Sequence, residues 1–119
     1  NLALNHARTR IQFGKPIVKY QAVSFALAEM ATKIGLARLM TWNACWLIDR
    51  DQDHTTASSM AKWYASEVAL EAASKAVEIL GAGGYMANTL ADKYSRDARV
   101  LATVEGTNNS QKAIIASLL

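Results

Sequence analysis

One carboxylate stands where it could act as a base, directly before a predicted helix. Glu105 is followed by Gly106 and by residues 107–109, which are all of types that cap helices, and an apolar helical pattern covers residues 113–119. A carboxylate just before the N-terminus of a helix faces the positive end of the helix dipole and lies on a flexible loop. This position permits general-base chemistry, although a Glu that only complements the dipole gives the same pattern.

Four further features lie ahead of Glu105 in the chain. They are an R-x-x-F-G-x-P-I stretch that begins at Arg10, a Gln at position 21, an L-G-x-x-G-Y stretch that begins at Leu80, and an R-D-A-R stretch that begins at Arg96 and leads into E-G-T. In this combination the chain resembles the C-terminal helical domain of the acyl-CoA dehydrogenases over essentially all of its 119 residues. The short- and medium-chain straight-acyl members are the most similar, because relatives that act on branched or very long acyl groups often carry the base on another helix.

The resemblance implies the FAD-dependent α,β-dehydrogenation of an acyl-CoA to a trans-2-enoyl-CoA. Glu105 matches the base that removes the α-proton, while the β-hydride passes to the flavin. In the family, the backbone N–H of that same residue and a ribityl hydroxyl of the flavin donate hydrogen bonds to the enolate-like oxygen. The resemblance also implies an electron-transfer flavoprotein as electron acceptor and a homotetramer built as a dimer of dimers.

The resemblance further assigns a set of residues to the flavin site: Arg10, Phe13, Gln21, Glu78, Gly81, Ala82, Gly106, Thr107 and Asn109. Arg10 and Phe13 match positions that contact the diphosphate and adenine side of the flavin, largely in the neighbouring subunit. Glu78 and Asn109 stand where Gln is frequent in the family, and Ala82 stands where Gly is frequent. A Glu78 carboxylate near a diphosphate would be repulsive unless Arg10 or another cation lies between them.

The residue types alone leave simpler roles open for several of these positions. Gly81 is suited to a helix C-cap, and Thr107 and Asn109 are ordinary N-capping residues. Arg96 and Asp97 are expected to form a surface ion pair with no part in catalysis.

Composition and charge exclude several classes of protein. The chain is 51% hydrophobic and 19% charged and has no apolar run long enough to cross a bilayer, which predicts one soluble domain over residues 1–119. The thirteen basic and ten acidic residues are scattered, so the net charge of +3 does not predict nucleic-acid binding.

The cysteine and the histidines predict neither a disulfide nor a metal site. Cys45 stands alone in an apolar stretch, which favours a reducing compartment and a place in the core. His6 and His54 lie far apart without partners at ligand spacing and are expected at the surface. We expect an intracellular protein, with the bacterial cytoplasm favoured and the mitochondrial matrix as the other possibility.

The periodicity of apolar residues predicts an all-α fold. A helical pattern runs to about residue 12, where a turn at residues 13–16 stops it, and two long helices cover residues 20–49 and 57–80. A shorter helix over residues 90–98 precedes the Glu105 loop, and no strand is convincing. The pattern predicts an antiparallel four-helix bundle in which Trp42, Trp46 and Trp63 fill gaps between Ala-rich helices.

In the family, an N-terminal helical domain and a middle β-domain hold most of the isoalloxazine ring and the acyl-CoA. The resemblance therefore implies that this chain alone does not catalyse. Two other functions remain open from the residues: a flavin-dependent acyl-CoA oxidase of the same fold, which would keep the base, and a non-catalytic helical assembly module, which would need only the apolar helix faces.

Overall fold

The computed structural model describes all 119 residues and contains five α-helices. They are α1 (Leu2–Thr9), α2 (Gln21–Asp49), α3 (Thr55–Leu80), α4 (Leu90–Val100) and α5 (Asn108–Ser117). Short 3-10 turns cover Ile17–Lys19 and Gly81–Tyr85. The predicted all-α class is confirmed, and the two long helices lie within two residues of their predicted bounds.

The expectation of no strand is wrong at one place. Strands β1 (Ile11–Gln12) and β2 (Lys15–Pro16) pair antiparallel around Phe13 and Gly14. Phe13 has φ 49° and Gly14 has φ 80°, and two successive positive φ angles at the centre of a two-residue loop are the geometry of a tight hairpin. The predicted turn is therefore a hairpin that aims the Phe13 ring outward.

Helices α2 and α3 are antiparallel along most of their length, as predicted. Lys33 in the first half of α2 pairs with Glu71 in the second half of α3. Leu47 near the end of α2 faces Ala57 near the start of α3. The short connection 50–54 leaves no other arrangement open.

Helix α3 is the centre of the molecule, because α1, α2, α4 and α5 all pack against it. The contacts between helices are made mostly by small side chains, which let backbones approach closely. Those buried side chains are Ala3, Ala7, Ala37, Ala44, Ser59, Ala61, Ser66, Val68, Ala91, Ala98 and Ile115.

Helix α2 carries large apolar side chains on the face opposite its buried Ala37 and Ala44. Leu39 is 58% exposed, Trp42 60% and Trp46 49%. The prediction that these two tryptophans fill gaps between helices is therefore wrong within one chain, and Trp63 alone of the three is mostly enclosed. At 100° per residue, positions 39, 42 and 46 fall on the outer face, away from α3.

Cys45 is exposed, so its predicted place in the core is also wrong. It follows the buried Ala44, and one residue further along a helix turns the side chain by about 100°, out of the α2–α3 contact. His54 is exposed as predicted, while His6 is half-buried beside an open groove.

The molecule is longer and thinner than a compact domain of its size. Its radius of gyration is 17.0 Å and its extents are 55 × 24 × 23 Å, whereas a compact 119-residue domain has a radius of gyration of about 13.5 Å. No large side chain is fully buried. None of its helices is both long enough and apolar enough to cross a membrane.

Candidate active site

Glu105 lies on the exposed loop between α4 and α5, in a left-handed backbone conformation. Its φ is 53°, and that of Gly106 is 82°. A left-handed conformation is rare for a residue with a side chain and recurs at sites where the surroundings enforce it. The Glu105 carboxylate forms no ion pair, and its backbone N–H donates to no group of the chain. An acid and a free amide N–H are thus presented together at one residue.

Helix α5 begins immediately after this loop. Thr107 is its N-cap, and the Thr107 side-chain oxygen accepts a hydrogen bond from the Ser110 N–H at 3.1 Å. The capping role that the residue type allows is therefore observed. Asn109 is exposed in the first turn of the helix and makes no side-chain hydrogen bond within the chain.

Residues from α3 and α5 hold the backbone of the Glu105 loop. Lys62 Nζ lies 2.6 Å from the Gly106 carbonyl oxygen and 3.0 Å from Asn108 Oδ1. Gln111 Nε2 donates to the Glu105 carbonyl oxygen at 3.3 Å. These contacts were not predicted from the sequence. The one signal in the sequence was the polar spacing of Ser59, Lys62 and Ser66 along one face of α3.

A second cluster of predicted site residues lies where α1 and the β1–β2 hairpin meet the end of α3. Arg10, Gly81 and Ala82 line an open groove of about 470 Å³. The Arg10 guanidinium has no carboxylate within 4.0 Å, so its charge is free to pair with an anion in the groove. His6 and Gln12 complete its polar lining.

Glycine is needed in the Gly81–Tyr85 turn that forms one wall of this groove. Gly81 has φ 61°, which favours glycine. A Cβ on Gly84 would lie 2.6 Å from the Val77 carbonyl oxygen, so the turn can pack onto α3 only without a side chain there. The predicted helix end at Gly81 is confirmed, because α3 ends at Leu80.

Phe13 and Gln21 do not line this groove. Phe13 is 93% exposed at the tip of the hairpin, and Gln21 is exposed at the start of α2. The hairpin itself is held firmly, because the Tyr20 hydroxyl donates to the Gln12 carbonyl oxygen at 2.8 Å. Phe13 is thus fixed by its backbone but makes little contact within the chain.

Glu78 is paired with a cation, but the cation is Lys75 rather than Arg10. Lys75 Nζ lies 2.6 Å from Glu78 Oε2 on the exposed side of α3. This hydrogen bond to Glu78 raises the pKa of Lys75 above its usual value. Because its charge is balanced by a neighbour on the same helix, Glu78 does not carry an unpaired negative charge towards the Arg10 groove.

The predicted ion pair between Arg96 and Asp97 is not formed. Arg96 Nη2 lies 3.0 Å from Asp92 Oδ2, and Asp97 pairs with Lys93. Neighbouring residues on a helix point about 100° apart, whereas residues four apart lie on one face. Both pairs lie on the surface of α4.

The two clusters of predicted site residues lie near opposite ends of α3. Lys62, which contacts the Glu105 loop, and Ile79, which lines the Arg10 groove, are separated along the helix by about 25 Å. The structure therefore brings Arg10 together with Gly81 and Ala82, and Glu105 with Gly106 and Thr107, but it does not bring these two groups together within one chain.

A known family matches the whole of this chain. The family model of the acyl-CoA dehydrogenase C-terminal domain matches residues 1–119. The chain belongs to this family. This match confirms the family that the sequence motifs predicted, and it confirms the all-α bundle.

Individual relatives of this acyl-CoA dehydrogenase domain are similar over nearly its whole length. It is 42% identical over 117 residues both to the caffeyl-CoA reductase-Etf complex subunit CarC of Acetobacterium woodii and to the mitochondrial short-chain specific acyl-CoA dehydrogenase of Rattus norvegicus. These alignments cover 98% of this chain but only 31% and 28% of the two relatives. The domain thus spans less than a third of the length of the curated relatives it matches.

A solved structure described as an FAD complex of PigA has the same fold. Its TM-score to this acyl-CoA dehydrogenase domain is 0.95 at 31% identity, and the match covers 98% of this chain and 30% of the other. The residues of the Arg10 groove suit such a cofactor chemically. A guanidinium without a carboxylate partner, beside a glycine turn, offers the charge and the close backbone approach that a diphosphate needs.

Proposed function

We propose that this chain is the C-terminal helical domain of an FAD-dependent acyl-CoA dehydrogenase and that Glu105 is its catalytic base. The observation that carries this proposal is the Glu105 loop, which presents an exposed carboxylate without an ion-pair partner beside a free backbone N–H. A helix-start acid that only complemented the dipole would need neither the left-handed backbone nor the anchors from α3 and α5.

The chemistry divides between this domain and the cofactor. The Glu105 carboxylate removes the α-proton of the acyl thioester, and the electron pair of that C–H bond forms the new Cα–Cβ double bond. The Glu105 N–H donates to the thioester oxygen, on which negative charge develops as the proton leaves. Bound FAD would supply the acceptor for the hydride of the β-carbon, and the products would be the trans-2-enoyl-CoA and the reduced cofactor.

Arg10, Gly81 and Ala82 are the residues that we propose bind the diphosphate and adenosine side of FAD. Arg10 supplies charge-assisted hydrogen bonds, while the glycine turn supplies backbone N–H groups. Phe13 and Gln21, held beside this groove by the hairpin and the start of α2, are proposed to complete the contact. Glu78 flanks it with its charge balanced by Lys75. At the other end of α3, Gly106, Thr107 and Asn109 are proposed to contact the flavin next to the base.

Two features support a homo-oligomer in which each flavin lies between subunits. The Arg10 cluster and the Glu105 cluster are about 25 Å apart along α3, so they cannot contact the same part of one cofactor. The outer face of α2 also exposes Leu39, Trp42 and Trp46, and a helix that is apolar all round is normally covered on both sides. We propose a dimer of dimers that buries this face.

The relatives support a substrate class and an electron acceptor. One is a short-chain specific acyl-CoA dehydrogenase, and another is a subunit of a caffeyl-CoA reductase-Etf complex. We accordingly propose a short, straight-chain acyl-CoA as substrate and an electron-transfer flavoprotein as redox partner. An intracellular location agrees with the mitochondrial name of one relative, and we favour the bacterial cytoplasm.

The test is the visible spectrum of the whole flavoenzyme before and after addition of butyryl-CoA under anaerobic conditions. We expect a flavin band that bleaches with the wild type and persists with Glu105→Gln at equal FAD content. Glu29→Gln, which neutralises an exposed acid on α2, is the matched control and should bleach like the wild type. A protein that binds no FAD, or a Glu105→Gln variant that bleaches at the wild-type rate, would contradict the proposal.

Reoxidation of the reduced enzyme distinguishes a dehydrogenase from an oxidase of the same fold. We expect rapid reoxidation by electron-transfer flavoprotein and slow reoxidation by oxygen. Rapid reoxidation by oxygen alone would assign the oxidase activity instead.

A further inference from the structure

Two successive residues of the Glu105 loop adopt positive φ angles, so the loop depends on contacts from outside itself. Glu105 has φ 53° and Gly106 has φ 82°. The first is strained for a residue with a side chain, and the second has no side chain to restrict it. Without external anchors, this backbone would exchange among several conformations and Glu105 would move with it.

Lys62 on α3 supplies the charged anchor. Its ammonium donates to the Gly106 carbonyl oxygen at 2.6 Å and to Asn108 Oδ1 at 3.0 Å. Hydrogen bonds from a charged donor are shorter and stronger than neutral ones. The ammonium has no carboxylate within 4.0 Å, the Glu105 carboxylate included, so both of its contacts are with neutral oxygens on either side of Thr107.

Ser66 and Asn108 extend this anchor into the buried contact between α3 and α5. The Ser66 hydroxyl lies 2.9 Å from Asn108 Oδ1 and 2.8 Å from the Trp63 carbonyl oxygen, and its single proton serves one of them at a time. Ser66 is only 5% exposed. The Asn108 backbone N–H also donates to the Ala102 carbonyl oxygen at 3.0 Å, which closes the loop at its base.

We propose that Lys62 is a positioning residue for the Glu105 base, acting through the Gly106 carbonyl rather than on the substrate. This rests on the proposed function, because it needs Glu105 to be the base. In this proposal, the Lys62–Asn108–Ser66 cluster fixes the Glu105 backbone and so sets the direction of the Glu105 carboxylate and of the Glu105 N–H. Loss of the ammonium leaves the Arg10 groove intact but makes the reactive alignment of the Glu105 carboxylate rare.

The test measures flavin reduction in a single turnover, in the whole FAD-bound enzyme, on rapid mixing with butyryl-CoA. For Lys62→Met, which keeps the length and apolar stem but not the charge, we expect the reduction rate at saturation to fall roughly 10- to 100-fold, as misalignment of a reacting group does. The concentration of butyryl-CoA at half-saturation and the FAD content should change less than about twofold, because Lys62 is proposed to touch neither ligand and the Arg10 groove does not depend on it. Lys62→Arg should restore much of the rate, because it keeps a charged donor.

Lys112→Met is the matched control for the loss of one lysine charge next to the same helices. Lys112 on α5 lies 3.6 Å from Glu67 and over the Trp63 ring, and it does not contact the Glu105 loop. The flavin of the Lys112→Met enzyme should be reduced by butyryl-CoA at the wild-type rate. If Lys62→Met reacts within twofold of this control, or if Lys62→Met and Ser66→Ala both fail to bind FAD, the positioning role is wrong. Failure of the wild type to bleach, or full activity of Glu105→Gln, would instead overturn the base assignment itself.

Discussion

The side-chain amide of Gln111 occupies the space that a side chain on Gly106 would enter. A Cβ built on Gly106 would lie 2.6 Å from Gln111 Nε2, while the same amide group donates to the Glu105 carbonyl oxygen. Gly106→Ala should therefore displace Gln111 and also strain a backbone with φ 82°. We expect a fall in flavin reduction rate of at least tenfold, measured by stopped-flow absorbance, with FAD still bound.

The double variant Gly106→Ala/Gln111→Ala separates the two causes. Removing the amide relieves the close contact and leaves the backbone strain, but it also removes the hydrogen bond to the Glu105 carbonyl oxygen. Gln111→Ala alone gives the cost of that hydrogen bond, so the three variants together isolate the contact. Wild-type rates in Gly106→Ala would show that the loop conformation does not matter for the reaction.

Arg10 faces the open groove as a cation without a carboxylate partner. If it binds the FAD diphosphate, Arg10→Met should cost about 1.5–3 kcal/mol, the usual worth of a hydrogen bond to a charged group, or roughly 10- to 150-fold in the Kd for FAD. Titration of the apoprotein with FAD, followed by flavin fluorescence, measures this. Arg8→Met removes an equal charge from the exposed side of α1 and should leave the Kd unchanged. Equal Kd values for the two variants would exclude Arg10 from the cofactor site.

Two adjacent glycines offer a matched pair for testing the turn that lines the Arg10 groove. A Cβ on Gly84 meets the Val77 backbone at 2.6 and 2.9 Å, whereas a Cβ on Gly83 meets nothing within 4 Å, and neither residue has a positive φ. Gly84→Ala should destabilise the fold by about 1–3 kcal/mol through overpacking. Thermal unfolding should show a lower Tm and earlier FAD release for Gly84→Ala than for Gly83→Ala. Indistinguishable melting curves would mean that the turn can move away from α3 without cost.

The outer face of α2 should be an interface between copies of this chain. Leu39, 58% exposed, lies near its centre, and Leu39→Glu would place a charge in that contact. We expect a smaller assembly by size-exclusion chromatography with light scattering. Gln52→Glu introduces the same charge in the exposed α2–α3 connection and should leave the mass unchanged. A Leu39→Glu protein with the wild-type mass would place the oligomer contact elsewhere.

Local patterns were sufficient to predict the helices and the position of the Glu105 loop. The spacing of apolar residues predicted α2 and α3 within two residues, because a 3.6-residue period over more than twenty positions is hard to confuse with other structure. The same pattern could not show which apolar face meets a neighbouring helix. Trp42 and Trp46 share the helical period with buried residues but lie outside, because α2 is apolar on both faces and α3 covers only the alanine side.

The contacts that shape the candidate site join residues far apart in sequence. Lys62 reaches Gly106 across 44 positions, and Ser66 reaches Asn108 across 42. No single-sequence pattern encodes such pairs, because they follow from how α5 docks on α3. The hairpin at Phe13 was missed for a different reason, since a strand of two residues is too short to show an alternating pattern.

The thin core of the molecule makes its stability dependent on protein concentration. Its buried side chains are mostly those of alanines and serines, while Leu39, Trp42 and Trp46 remain outside. We therefore expect much of the free energy of burying apolar surface to be gained only on association. Mass action then governs the fraction of the protein that is folded. We expect dilution to lower the apparent melting temperature of the protein. We also expect chaperones and proteases to remove the subunits that are made in excess of their partners.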